Sequence, residues 1–120
     1  MQLKKIASNL RLLYTGAAAE VPLTPFQGGA RNKVVQFMVA VRSANGAPTL
    51  GCKIDHGPDG IVHATHTTLA NAALPTTNIY VFDSDSTKIL GDWIHPILTV
   101  GGAVAGDAMT VDVYAVLKPF

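Results

Sequence analysis

The chain has 120 residues, of which 48% are hydrophobic and 14% are charged, and its formal net charge is +1. This length predicts one domain, and the apolar content excludes a wholly disordered chain. No apolar run reaches the roughly 18 to 20 residues that a membrane-spanning helix needs, and the balanced charge lacks the basic excess typical of nucleic-acid-binding proteins.

The first 26 residues are predicted to form an N-terminal arm that contains a first edge strand. Residues 10–14 are a strand candidate. Residues 20–26 are predicted to be extended, and Pro22 and Pro25 exclude them from the centre of a sheet. A helix over residues 2–13 is the alternative, because four apolar residues recur there at helical spacing: Leu3, Ile6, Leu10 and Leu13.

Residues 27–120 are predicted to form a β-sandwich domain. The strand at 33–42, KVVQFMVAVR, is apolar on both faces of the pleat. Asn45-Gly46 after it predicts a hairpin. The last strand, residues 109–117, alternates cleanly between an apolar and a mixed face. Further strands are predicted at 48–56, 61–68, 77–82 and 88–98, the last bent or broken by Gly91 and Pro96, with turns or loops at 57–60, 70–73 and 83–86.

The composition supports an all-β fold. Val, Ile and Thr, which favour strands, make up a quarter of the chain, and Glu20 is the only glutamate. We therefore predict an antiparallel β-sandwich, jelly-roll-like, of about seven or eight strands with an extended N-terminal arm. Cys52 is the only cysteine, so no intramolecular disulfide forms, and the thiol is expected to be a small buried hydrophobe.

No pattern of side chains predicts catalysis, a metal or a cofactor. His63 and His66 are three apart, so on a strand they point to opposite faces and do not share a metal. Asp55 and Asp59 flank a turn, and the DSDS sequence from Asp83 lacks a calcium-loop spacing. Nucleophile-elbow and phosphate-loop motifs are absent from the sequence. We expect no enzyme activity, no metal and no cofactor.

The middle of the chain resembles small structural proteins of tailed phages. The residues that carry the resemblance run from Gly46-Ala47-Pro48-Thr49-Leu50 to the Pro58-Asp59-Gly60 turn. Asp92 to Pro96 and the closing strand Val111 to Tyr114 fit the same pattern. The resemblance covers roughly residues 30–118 and is to capsid decoration, or cement, proteins, which have a jelly-roll or sandwich fold.

This resemblance implies a virion protein that is assembled in the host cytoplasm and lies on the outside of a phage head. Its partners would be the major capsid protein, whose neighbouring subunits it clamps, and other copies of itself in a dimer or trimer, with no nucleic acid or membrane involved. The N-terminal arm would contact the capsid, and the candidate partner-binding residues are Lys4, Lys5, Arg11, Pro22, Pro25 and Trp93.

Two alternatives share the predicted fold. A carbohydrate-binding module would use Trp93 as a stacking platform for sugars. A tail or baseplate component would have the same fold and different neighbours. The low charge favours an assembly protein, since soluble domains carry about 25% charged residues and the apolar outer pleat of the 33–42 strand needs a cover.

Overall fold

A computed structural model describes residues 2–73 and 78–120, and within them it places nine β-strands and a single 3₁₀ turn at Gly29–Arg31. No helix in this part of the chain has the length and apolar character needed to cross a membrane. The strands are β1 Gln2–Leu13, β2 Ala19–Pro22, β3 Phe26–Gln27, β4 Asn32–Asn45, β5 Thr49–Gly57, β6 Ala64–Ala73, β7 Ile79–Asp83, β8 Trp93–Gly101 and β9 Ala108–Pro119.

The strands form two antiparallel sheets packed face to face. The first sheet has the order β1-β9-β4-β7, and the second has the order β2-β8-β5-β6, with the short β3 added beside β8. Along the chain, β1 lies in the first sheet, β2 and β3 in the second, β4 in the first, β5 and β6 in the second, and β7, β8 and β9 in the first, second and first. This is the jelly-roll arrangement, and it confirms the predicted all-β sandwich.

The core lies between the sheets and is built mainly by β4 and β9 on one side and by β5 and β8 on the other. Val35, Phe37 and Val39 of β4 are completely buried. The predicted alternation of β9 is confirmed, since its core face is buried along its whole length. The main core residues are Val35, Phe37, Val39, Leu50, Cys52, Ile54, Leu98, Met109, Val111, Val113, Ala115 and Leu117.

Cys52 is part of this core, as predicted. Its side chain is fully buried between the sheets. Burial disfavours the thiolate and raises the pKa of Cys52 to about 12. The thiol is therefore a protonated apolar group at neutral pH.

The helix alternative for residues 2–13 is wrong, because this segment is β1 and pairs with β9 from Gln2 to Leu13. Two register shifts interrupt the pairing, between Lys5 and Ala7 and between Ala7 and Leu10, and Asn9 has a left-handed φ of 51°. Each shift interrupts the alternation of side chains between the two faces of the strand. The resulting spacing of apolar residues imitates a helix.

The hairpin predicted at Asn45-Gly46 is also wrong. β4 before it belongs to the first sheet and β5 after it to the second, so the chain crosses over the core at this turn. Gly46 has a φ of 76° and lies against the Asp107 carboxylate, where a Cβ has no room. The dipeptide thus provides a tight turn, as its composition indicates, but between sheets.

Three predicted boundaries differ from the structure. The 70–73 loop is the end of β6, which begins at Ala64 and not at residue 61. β8 begins at Trp93 and continues through Pro96, where its neighbour on one side changes from β3 to β2, so the missing N–H of Pro96 is tolerated there. For the strand predicted at 77–82, residue 77 lies outside the described residues, and β7 begins at Ile79.

Replacing Phe37 with Ala should lower the free energy of unfolding by about 3–5 kcal/mol, because it leaves a cavity between the sheets. Urea denaturation at neutral pH measures this change. The matched control is Gln36→Ala on the opposite face of the same strand, with an expected change within about 0.5 kcal/mol. Equal losses of unfolding free energy in both variants would mean that the two faces of β4 do not differ in burial.

Candidate interaction face

The surface that the core does not cover on the first sheet is apolar, and we call it the outer face. Its middle row crosses all four strands through Lys5, Tyr114, Met38 and Val81, which are neighbours in the strand register. None of its apolar side chains belongs to the main core cluster of the described chain, although one of them, Val116, is only 6% exposed. The apolar members of the outer face are Leu3, Val34, Met38, Ala40, Ile79, Val81, Tyr114 and Val116.

Several of these side chains are open to solvent. Leu3 is 63% exposed, Val81 53% and Ile79 40%. Tyr114 and Met38 in the centre are half-buried by their neighbours on the sheet. A sheet face with exposed apolar side chains on both of its edge strands and an aromatic residue and a methionine at its centre is typical of protein–protein interfaces.

Asp112 is the buried charge of the outer face and ties three strands together. Its carboxylate accepts hydrogen bonds from the Asn9 backbone N–H at 2.8 Å and from Arg42 Nε at 2.9 Å. Lys5 Nζ lies 3.5 Å from the same carboxylate. The Asn9 and Arg42 hydrogen bonds are the main reasons that the pKa of Asp112 is lowered, so the group is ionised at neutral pH.

Two further charges of the outer face, Asp83 and Lys118, are also engaged within the chain. Asp83 accepts a hydrogen bond from Gln36 Nε2 at 2.8 Å, and Lys118 Nζ lies 4.0 Å from the same carboxylate. Lys5 Nζ lies 5.6 Å from the centre of the Tyr114 ring, which is a cation–π distance. Because these charges already have partners, the outer face does not require an oppositely charged surface opposite it.

The predicted partner-binding residues of the arm lie along β1, at the edge of the first sheet. Lys5 belongs to the outer face itself. Arg11 is exposed and pairs with Thr110 farther along the same face. Lys4 points to the other side of β1, where its Nζ lies 5.3 Å from the centre of the Phe26 ring.

The other three predicted residues lie on the second sheet, so the structure does not bring the six together. Pro22 and Pro25 line a cleft of about 210 Å³ together with His63, His95 and five other residues. Trp93 lies two residues before His95 in β8. It is half-buried, and the Gly60 backbone covers part of its ring, since a Cβ there would lie 3.4 Å from the ring.

The same cleft contains a cluster that the sequence did not predict. Asp55, placed by its sequence beside a turn, is 2% exposed, and its Oδ2 lies 2.7 Å from His63 Nδ1. The His63 ring stacks on His95 with centroids 4.5 Å apart, and His95 Nε2 lies 2.8 Å from the Asp59 carbonyl, to which it can only donate. The contacts join β5, the 58–63 loop and β8, and only the pairing register shows that these meet.

This cluster of hydrogen-bonded side chains is not arranged as a metal centre. Within residues 2–73 and 78–120, no group of three His, Cys, Asp or Glu side chains is placed to hold a metal ion. Asp59 instead accepts the N–H groups of Ile61 and Val62, each at 2.8 Å, and so shapes the loop as its position in the turn predicts.

No protein-family model and no curated protein matches the chain. Solved structures of infectious bursal disease virus particles do match. A chain of the T13 viral particle is 17% identical with a TM-score of 0.61, covering 98% of this chain and 31% of that one. The VP2 subviral particle gives 14% identity and a TM-score of 0.60, with 98% and 32% coverage, and the Gt strain gives 18% and 0.54, with the same coverage.

The likeness covers almost the whole of this chain, which spans about a third of the length of the virus chains that it matches. At these identities the comparison shows a shared fold. That fold, a jelly roll also used by chains of virus particles, agrees with the antiparallel sandwich described above.

Replacing Asp112 with Asn should destabilise the protein at neutral pH, because Arg42 and Lys5 then face a neutral group. The folded-state pKa of Asp112 is lowered, so its contribution is present above the unfolded value of about 3.9 and is lost as the pH falls through the folded value. Urea midpoints of wild type and variant should therefore differ at pH 7 and converge at low pH.

Asp83→Asn is the control for this comparison, because Asp83 is an exposed carboxylate on the same sheet, and its loss should change the midpoint little. A gap between wild type and Asp112→Asn that stayed constant down to pH 2.5 would contradict the ionised role of Asp112.

Proposed function

We propose that this chain is a structural component of a virus particle, and more specifically a decoration protein that binds the outside of a tailed-phage head and clamps neighbouring major capsid subunits. The jelly roll shared with chains of virus particles supports a structural role in the virion. The resemblance of residues 46–60 to phage decoration proteins supports the more specific role. Assembly would take place in the host cytoplasm, without nucleic acid or membrane as partner.

The observation that carries this proposal is the apolar outer face of the first sheet. A freely diffusing domain gains nothing from leaving Leu3, Ile79 and Val81 in water, since burying such side chains is worth about 1.5–3 kcal/mol each. An assembly protein covers them with a neighbour.

The neighbour on the outer face is, in this proposal, a second copy of the chain. Asp112 and Asp83 are paired with cations of their own sheet, so two identical outer faces meet without an unpaired carboxylate between them. Closed symmetry with the same patch on each copy is the commonest arrangement of homo-oligomers. Contact between two identical outer faces gives a dimer, and the trimer that the resemblance also implies would need two different patches on each copy.

The contact with the major capsid protein would use the first 26 residues and the second sheet. β1 and β2 are edge strands, and Lys4 and Arg11 give the β1 edge its positive charge. Pro22 and Pro25 line the cleft on the opposite side of the sandwich from the outer face, and Trp93 lies beside Gly60, which lines the same cleft. The β1 edge and the second sheet would then face the head, and the centre of the outer face would contact a second copy.

Wild-type protein should form a symmetric oligomer in solution, and Val81→Lys should weaken it by about tenfold or more in dissociation constant. A lysine in the middle row of the outer face places like charges opposite each other in two copies. Sedimentation velocity at several concentrations measures the masses. Thermal unfolding of the variant at low concentration should match that of the wild-type monomer.

Ile61→Lys is the matched control. Ile61 is β-branched and 84% exposed, but it lies beside the cleft of the second sheet. Its substitution should leave the oligomer intact. A monomeric wild type, or equal masses for wild type and Val81→Lys, would contradict the role of the outer face.

Purified protein should co-sediment with phage heads that lack it, and the double variant Lys4→Gln/Arg11→Gln should bind them more weakly, increasingly so at low salt. Binding only to tails would move the protein to the tail or baseplate. Binding to glycans and not to heads, with loss in Trp93→Ala, would replace the proposal by a carbohydrate-binding module.

A further inference from the structure

Residues 85–91, which connect β7 to β8, lie as a strap over one end of the second sheet. Thr67 Oγ1 of β6 accepts the Asp85 N–H at 2.9 Å. Lys88 Nζ lies 3.4 Å from the His66 carbonyl. Leu90 is buried in the core and anchors the strap near its far end. Two histidine side chains provide the remaining polar contacts.

His66 binds the strap through both of its ring nitrogens. Its Nε2 lies 3.2 Å from the Lys88 carbonyl, which can only accept, so Nε2 carries the hydrogen. Its Nδ1 lies 2.6 Å from Thr67 Oγ1. That hydroxyl already accepts from Asp85, and its own hydrogen is available for Nδ1. Both ring nitrogens of His66, which is 3% exposed, therefore have hydrogen-bond partners.

His56 holds the other end of the strap. The Gly91 backbone N–H donates to His56 Nδ1 at 2.8 Å, so this nitrogen must carry a lone pair. The approach is close, since a Cβ at position 91 would lie 3.1 Å from the Gly57 carbonyl and 3.3 Å from His56 Nδ1. A proton on Nδ1 would place two donors against each other.

We propose that the 85–91 strap is a pH-sensitive device, closed while His56 is neutral and opened when acid protonates it. Protonation removes the acceptor of the Gly91 N–H. It also puts a positive charge beside the His66 ring, whose centre lies 4.9 Å from that of His56. Opening uncovers the β6 edge around Thr67.

The charged groups around the strap offset this charge only in part. Asp55 precedes His56 but is engaged by His63. Asp85 accepts from the N–H and hydroxyl of Thr87, and Asp92 accepts from Gln27 Nε2. Lys88 adds a positive charge of its own. From β8, the residue opposite His56 is the apolar Ile94, and His95 belongs to the cluster with His63.

The direction of the pH effect follows from the surroundings of His56. Burial, and then the neighbouring His66, lower the pKa of His56, while Asp55 opposes them. The closed form thus binds the proton less tightly than the open form, whose pKa is about 6.5. The strap is fully stable above that value, and it loses stability as the pH falls from there through the lower value of the closed form.

Amide hydrogen exchange followed by NMR between pH 7.5 and 5 tests this device in the full chain. After correction for the intrinsic pH dependence, opening at Gly91 should increase by up to about tenfold per pH unit between the two pKa values. His56→Asn should abolish this dependence, because an Asn Oδ1 can accept the Gly91 N–H but cannot be protonated in this range.

Thr67→Val is the matched control, since it removes an anchor of the strap without removing a titratable group. It should lower protection at Asp85 at every pH and leave the pH dependence at Gly91 unchanged. The histidine ¹⁵N shifts of the wild type give a second measurement that needs no variant, and they should show His56 as the neutral Nε2–H tautomer at pH 7.5. A doubly protonated His56 at that pH, pH-independent protection at Gly91, or the same dependence in His56→Asn would overturn the proposal.

Discussion

The strand β4 is apolar on both of its faces and lies inside a sheet, and the rest of the molecule is arranged around this constraint. Phe37 and its neighbours on the inner face are buried against the second sheet. A two-layer sandwich can cover only that face. Met38 and Ala40, together with Val81 on β7, remain on the outside, and no described part of the chain packs over them. The fold is complete without these residues, which is why we assign them to an interface.

The few charges of the chain are placed so that this outer face can still contact a neighbouring protein. Asp112 is held by Asn9, Arg42 and Lys5, and it links β1, β9 and β4 across the sheet. The register shifts in β1 bring the Asn9 N–H to the carboxylate. The irregular edge strand and the buried charge therefore depend on each other, and the two cations that hold Asp112 also lie beside Tyr114. The low charge content of the chain therefore affects the outer face as well as the core.

The sequence allowed the fold class, the two-faced β4 and the alternation of β9 to be predicted, because each rests on local periodicity. It did not allow the register shifts of β1 or the crossover at Gly46 to be predicted. Neither the periodicity of a strand nor a tight-turn dipeptide indicates where a register shifts or which sheet the next strand joins. The contact of His56 with Gly91 joins residues 35 apart in the chain, as the cluster at His63 joins separate elements. Such sites depend on the register of paired strands, which composition and spacing leave open.

An electron-microscopy map of the particle that contains this protein tests the central claim most directly. The account predicts density for a second copy of the chain over Met38, Val81 and Tyr114, related to the first by a symmetry axis, with the cleft of the second sheet turned toward the shell. An outer face open to solvent, or covered by a different protein, would contradict it.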